Sequence, residues 1–125
     1  MSSETLDARR VQAAKHQSLM REVNERIEVL ALGKESSSMF KELRLARTID
    51  LACECMDVTC VERVTLTGAE YEAIRADSNF FFVLPGHEVS EVEETVRSEE
   101  QYLVVSKFAP GDAVAKKLDP RKRTR

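Results

Sequence analysis

The chain has no tryptophan, two tyrosines and five phenylalanines, so aromatic residues make up only 6% of it. Bulky core material is scarce, and a domain with so thin a core gains from a staple of another kind. Long apolar runs are also missing. No stretch approaches the roughly 20 residues that a membrane-spanning helix needs. The opening residues, Met1 to Asp7, carry neither a basic start nor an apolar run, which argues against a secretory leader. The expected setting is cytoplasmic, with thiols kept reduced. There is no glycine-rich loop to cradle phosphates, no His-Glu-x-x-His pair on a helix, and no serine in a recognisable nucleophile turn. Internal repeats and low-complexity tracts are absent. The balance leans away from an enzyme.

What is present fits one domain: 125 residues, 42% hydrophobic and 33% charged. The net charge of −3 is unevenly spread. Glu88, Glu91, Glu93, Glu94, Glu99 and Glu100 make an acidic region, whereas Lys116, Lys117, Arg121, Lys122, Arg123 and Arg125 make a basic end. Through Arg121, Lys122, Arg123 and Arg125 that end can meet nucleic acid or an acidic surface by charge alone. A merely solubilising end competes with this, because no aromatics are interleaved for base stacking.

Spacing divides the chain into an N-terminal helix (1–32), a connector with a short helix (33–48), an α+β domain (49–118) and a loose basic tail (119–125). In the first helix Leu6, Ala13, Met20 and Ile27 recur every seven residues, with His16, Val23 and Leu30 at alternate positions. Its Met20–Leu30 half either packs on the domain or pairs, through Met20, Val23, Ile27 and Leu30, with a protein partner or a second copy. Gly33 is placed to end it. Thr48–Cys53 and Val61–Leu66 read as strands. Thr67-Gly68-Ala69-Glu70 is a capping box opening a helix over 68–76. Phe80–Leu84 is a further strand, stopped by Pro85-Gly86. Residues 89–99 fit a helical stripe or the first arm of a hairpin whose second arm is Tyr102–Phe108; the hairpin is favoured, since a lone final strand needs a partner. Pro110–Leu118 can form one or two helical turns. The expected fold is α+β, with the long helix and helix 68–76 covering a small antiparallel sheet.

The chemistry concentrates between Cys53 and His87. All three cysteines fall within eight positions, as Cys53-Glu54-Cys55 followed by Cys60, and His87 sits in the turn Pro85-Gly86-His87-Glu88. In a flat strand, residues two apart stand roughly 6.6 Å from each other. Sulfurs sharing one zinc, each about 2.3 Å from it, must be closer. The backbone therefore has to curl around Cys53–Cys55, and the loop 56–59 has to return Cys60 to the same point. Three thiolates leave a tetrahedral ion one ligand short, and His87 is better placed than His16, which lies mid-helix. The expected site is Cys53, Cys55, Cys60 and His87 around zinc. Glu54, Asp57 or water can substitute for His87. A disulfide, small buried apolar thiols and an iron–sulfur cluster are the competing readings.

Two resemblances accompany this pattern. The Cys-x-Cys-x4-Cys spacing is similar to that of post-SET segments, in which three cysteines share a zinc with a ligand from elsewhere; only the metal geometry carries over. Arg21-Glu22-Val23-Asn24-Glu25-Arg26-Ile27, Cys53-Glu54-Cys55, Leu66-Thr67 with Glu70-Tyr71-Glu72, Pro85-Gly86-His87-Glu88 and Tyr102-Leu103-Val104-Val105 together resemble a group of small bacterial proteins of uncharacterised function. That resemblance spans about residues 20–108 and implies a shared site joining the cysteines to Gly-His-Glu, but no activity. The favoured function is a zinc-stabilised binding module, regulatory in role, engaging a protein or nucleic acid or self-associating through its first helix. The alternative is a small metalloenzyme, with Glu54 or Glu88 as general base, or a thiol-redox or iron–sulfur protein.

Overall fold

Hydrophobic alternation and helix-start chemistry set most of the elements in the computed structural model, which describes residues 3–33 and 38–123. Residues 34–37 of the connector and Arg125 of the basic end lie outside that description. In chain order the elements are α1 (Ser3–Leu32), α2 (Ser38–Ala46), β1 (Thr48–Ala52), β2 (Arg63–Thr67), α3 (Gly68–Arg75), β3 (Phe80–Val83), β4 (Glu93–Ser98), β5 (Leu103–Lys107), α4 (Gly111–Lys117) and α5 (Pro120–Arg123). The class is α+β. The favoured hairpin over 93–107 forms, with β4 antiparallel to β5. The capping box is complete: the Thr67 hydroxyl accepts from the Glu70 amide and the Glu70 carboxylate accepts from the Thr67 amide.

The strands divide between two antiparallel sheets, β1-β2 and β3-β5-β4. On β1 and β2 the alternation buries Ile49, Leu51, Val64 and Leu66 and leaves Thr48, Asp50, Arg63 and Thr65 to solvent. These four join Tyr71, Ile74, Phe81, Phe82, Val104 and Val105 in one core. The sheets meet just after β1, where the Glu54 amide donates to the Phe82 carbonyl at 3.0 Å.

Helix α1 departs from its expected packing. Ile27 does pack on the core and Met20 is half-buried, but Val23 and Leu30 are exposed. The face turned inward is Ala13, Ala14, Gln17, Arg21, Asn24 and Glu28, all buried. Its polar members are held by what they meet. Arg21 donates to the carbonyls of Ser78 and Ala115 at 2.6 and 2.7 Å, with its guanidinium over the Phe81 ring. Gln17 and the buried pair Lys107–Glu93 bond to one another, so one glutamate of the acidic region points into the core. Burial of polar groups is tolerated where each finds a partner, and the turn at Ser78 and the last turn of α4 supply carbonyls that need donors. Helix α4 lies close against α1: a Cβ on Gly111 would stand 2.9 Å from the Arg10 carbonyl oxygen, so only glycine permits this approach.

The basic tail is not wholly loose. Residues 120–123 form a helical turn, and Arg121 pairs with Glu25 of α1 at 2.6 Å and Glu72 of α3 at 2.8 Å, with Glu28 at 3.6 Å. A cation so engaged offers less to an outside anion than the sequence suggested. The same cluster makes a pH prediction. Burial, then a hydrogen bond to Glu72, raises the Glu28 carboxyl to about 8. Burial alone would raise Glu72 too, but its bonds from Arg121 and Glu28 outweigh that and hold it down at about 2. Arg44, Glu25 and Arg121 face the pair. A carboxyl raised in the folded state contributes stability that is complete below its unfolded value and is lost as pH rises through the folded one. Wild type should therefore lose stability relative to Glu28→Gln between pH ~5 and ~8, by up to about 4 kcal/mol. Glu72 works oppositely, losing its contribution as pH falls from ~4.5 toward ~2. Denaturant unfolding of both variants across this range is the check, since thiol titration is common to the two; parallel profiles would remove the shared proton.

Candidate metal centre

Strand alternation builds the site. As β1 ends, successive side chains keep pointing to opposite sides, so Cys53 and Cys55 face one way and Glu54 the other. The Cys53 amide still donates across to Glu62, at 3.1 Å, and the chain then turns away from the sheet. Asp57 makes the return. Its Oδ1 accepts from the Thr59 amide at 2.9 Å and the Thr59 hydroxyl at 2.7 Å, and its carbonyl accepts from the Cys60 amide at 3.1 Å. An aspartate bonding its own backbone two residues on is a local turn former. The hydrogen bonds from Thr59 lower its pKa.

The fourth group arrives from β3. Past Leu84, Pro85-Gly86 turns the chain, with Gly86 at φ +93°, a conformation favouring glycine. The His87 amide donates to the Leu84 carbonyl at 2.9 Å, while the exposed Glu88 carboxylate accepts from the Gly86 amide at 2.7 Å. This places His87 Nδ1 3.6 Å from Cys53 Sγ and 3.6 Å from Cys60 Sγ. The candidate ligand atoms of Cys53, Cys55, Cys60 and His87 all lie within 4.8 Å of one another, and these four residues can hold a metal ion. For ion–sulfur and ion–nitrogen bonds of about 2.3 and 2.05 Å, a tetrahedral site puts sulfur and nitrogen about 3.6 Å apart. The two sulfur–nitrogen distances meet that value. The Leu84 amide points at Cys53 Sγ from 3.4 Å, a donor suited to a thiolate. All three cysteines are free thiols. Burial raises the pKa of Cys53 and of Cys55, so neither is a thiolate at neutral pH without a cation beside it.

The two carboxylates that could have replaced His87 have other work. Asp57 forms the return turn. Glu54, which the sequence offered as a substitute ligand or a general base, is wholly buried. It takes both ends of the Arg75 guanidinium at 2.8 and 2.9 Å, Asn24 Nδ2 at 2.8 Å and the Phe82 amide at 3.3 Å. Around it α1 grips the backbone: Asn24 donates to the Ala52 carbonyl and accepts from the Ala52 amide, and Gln17 donates to the Glu54 carbonyl. Gln17, Asn24, Glu54 and Arg75 thus set where the two thiols point. Two signals for them were present: a middle residue of Cys-x-Cys must face away from the ion, and polar residues recur at helical spacing through Gln17, Arg21, Asn24 and Glu28. His16 stands on α1 outside the cluster.

The molecule is thus an α+β domain in which a loop after β1 and a turn after β3 bring three cysteines and a histidine together. Comparison with protein-family models, curated proteins and solved structures finds no match to this chain. Among the described residues, no helix is long and apolar enough to cross a membrane.

Proposed function

We propose that this is a zinc-stabilised binding module of regulatory type, in which the ion is structural and α1 presents the partner-facing surface. The observation that carries the reading is the convergence of four ligand atoms within 4.8 Å. A tetrahedral zinc holds its ligand atoms about 3.5–3.8 Å apart, so a set spread over no more than 4.8 Å lies closer to one ion than to a cluster with its ligands on several irons. Three thiolates and a histidine fill a tetrahedral shell, which favours a structural role over a catalytic ion that keeps a place for water. Glu54, tied to Arg75, is unsuited to be a general base, and Glu88 is taken up by its own turn. Membership of the group of small bacterial proteins suggested by its motifs is part of this proposal, as is a cytoplasmic setting. Contact with nucleic acid or an acidic surface through Lys122, Arg123 and Arg125 is a weaker element of it.

Native mass spectrometry of untagged protein is expected to show one zinc per chain, and the cobalt-substituted form a tetrahedral sulfur-rich spectrum. Cys55→Ser should abolish tight binding. His87→Ala should weaken it clearly while three thiolates still hold the ion. A brown protein, or His87→Ala binding zinc as tightly as wild type, would contradict the assignment.

A further inference from the structure

On α1 the side directly opposite the buried polar stripe is apolar in its second half. Leu19 is 56% exposed, Val23 39% and Leu30 86%. Their spacings of four and seven are those of a helix–helix seam. At the Leu19 end the metal loop rises beside the helix. There Gln12, Lys15, His16, Leu19, Met56 and Val58 line a cleft of about 440 Å³, with Val58 itself 74% exposed. At the other end Leu30 stands out beside Arg26 and Val29. One surface therefore carries both a knob and a socket, eleven residues or roughly 16 Å apart along the helix axis.

We propose that this surface binds a second copy of the chain, with the two α1 helices antiparallel and Leu30 of each seated in the other's cleft between α1 and the Met56–Val58 loop. An isologous contact of this kind needs a patch complementary to itself, and knob and socket on one helix meet that need. Charge selects the direction. With Leu19 opposite Leu30 of the second copy, Val23 and Arg26 share the layers between, and Glu22 of one chain reaches Arg26 of the other. A parallel pairing in register would instead set Arg26 against Arg26 at the seam. The proposal rests on the binding-module reading for the role of α1, and it adds that the metal, by holding the 56–58 loop, completes the socket.

Sedimentation velocity on the zinc-loaded full chain, from about 1 to about 300 µM, spans the range in which so small an interface dissociates. A monomer–dimer equilibrium is expected. Leu30→Asp and Val58→Asp should each weaken it at least about tenfold with zinc content unchanged. Arg26→Glu should weaken it, and adding Glu22→Arg on the same chain should restore it. A monomer throughout the range would overturn the proposal and leave the face to a different protein. A dimer indifferent to both Asp substitutions, or not restored by the charge swap, would overturn the surface or the direction. Zinc bound by a persistent monomer would sink only the pairing; a dimer without zinc affinity would sink the metal reading and the socket's dependence on it, and leave the pairing.

Discussion

Glu54→Ala is expected to cost roughly 3–5 kcal/mol, the scale for removing one partner of a buried ion pair. The pair Glu54–Arg75 has side-chain exposures of 0% and 1%. Burial works against the charge on Arg75, but Glu54's charge and hydrogen bonds outweigh it and raise the pKa. Without the carboxylate, that guanidinium remains charged, with only the Phe80 carbonyl and the faces of Tyr71, Phe81 and Phe82 around it. The Asn24 amide and the Phe82 amide lose an acceptor as well. Ring faces return at most about 2 kcal/mol each to a desolvated cation, and their angles here are set by core packing. Since whole domains are stable by about 5–15 kcal/mol, the variant should be near the edge of folding. Glu54→Leu combined with Arg75→Met should recover most of the loss, because an apolar pair of similar bulk leaves no orphaned charge. Denaturant unfolding of the three proteins decides it. A single variant within 1 kcal/mol of wild type would mean the pair is bystander rather than support.

This dependence explains what the sequence disclosed and what it hid. Local signals were legible: the capping box at Thr67, the alternation in β1 and β2, the turn at Pro85-Gly86, and the hairpin arms around residues 98–103. So was the clustering of Cys53, Cys55, Cys60 and His87, since three thiols in eight positions constrain one another and His87 sits in the turn after a strand. Hidden were features whose energy comes from partners far along the chain. Gln17 is buried because Glu54 and Glu93 wait for it, 37 and 76 residues away. Arg21 is buried because two carbonyls, 57 and 94 residues on, lack donors. Hydrophobic periodicity scores those positions as solvent-facing, so it drew one seam through Met20, Val23, Ile27 and Leu30, of which Ile27 packs on the core while Val23 and Leu30 are exposed. The division into two sheets escaped for a related reason. Strand identity is local, but the placing of β5 between β3 and β4 is a pairing decision.

Stripping the metal should release the site without unfolding the domain. The tie from Cys53 to His87 closes 34 residues of chain. An ion that binds the folded chain and not the unfolded one adds stability by mass action, about 4 kcal/mol at a thousandfold excess over its Kd. In a zinc finger such a tie is most of the fold, and chelation unfolds the peptide. Here Ile49, Leu51, Val64, Leu66, Phe81, Phe82, Val104 and Val105, none of them a candidate ligand, make up the body of the core that Cys53 and Cys55 join, and the Asn24 and Gln17 grip on residues 52–54 needs no ion. Past Glu54 the situation differs. Residues 57–59 are exposed, and Pro85, Gly86 and Glu88 likewise, so little besides the ion holds the loop to the turn. Chelation is therefore expected to lower stability by about 4 kcal/mol while far-UV circular dichroism changes little. Hydrogen exchange should accelerate over 55–60 and 85–89, with β1, β3 and β5 still protected. Exchange unchanged at the Cys60 and His87 amides would show the loop and turn are held by something other than a shared ion. Loss of protection in all strands at once would make the ion part of the core rather than a clasp upon it.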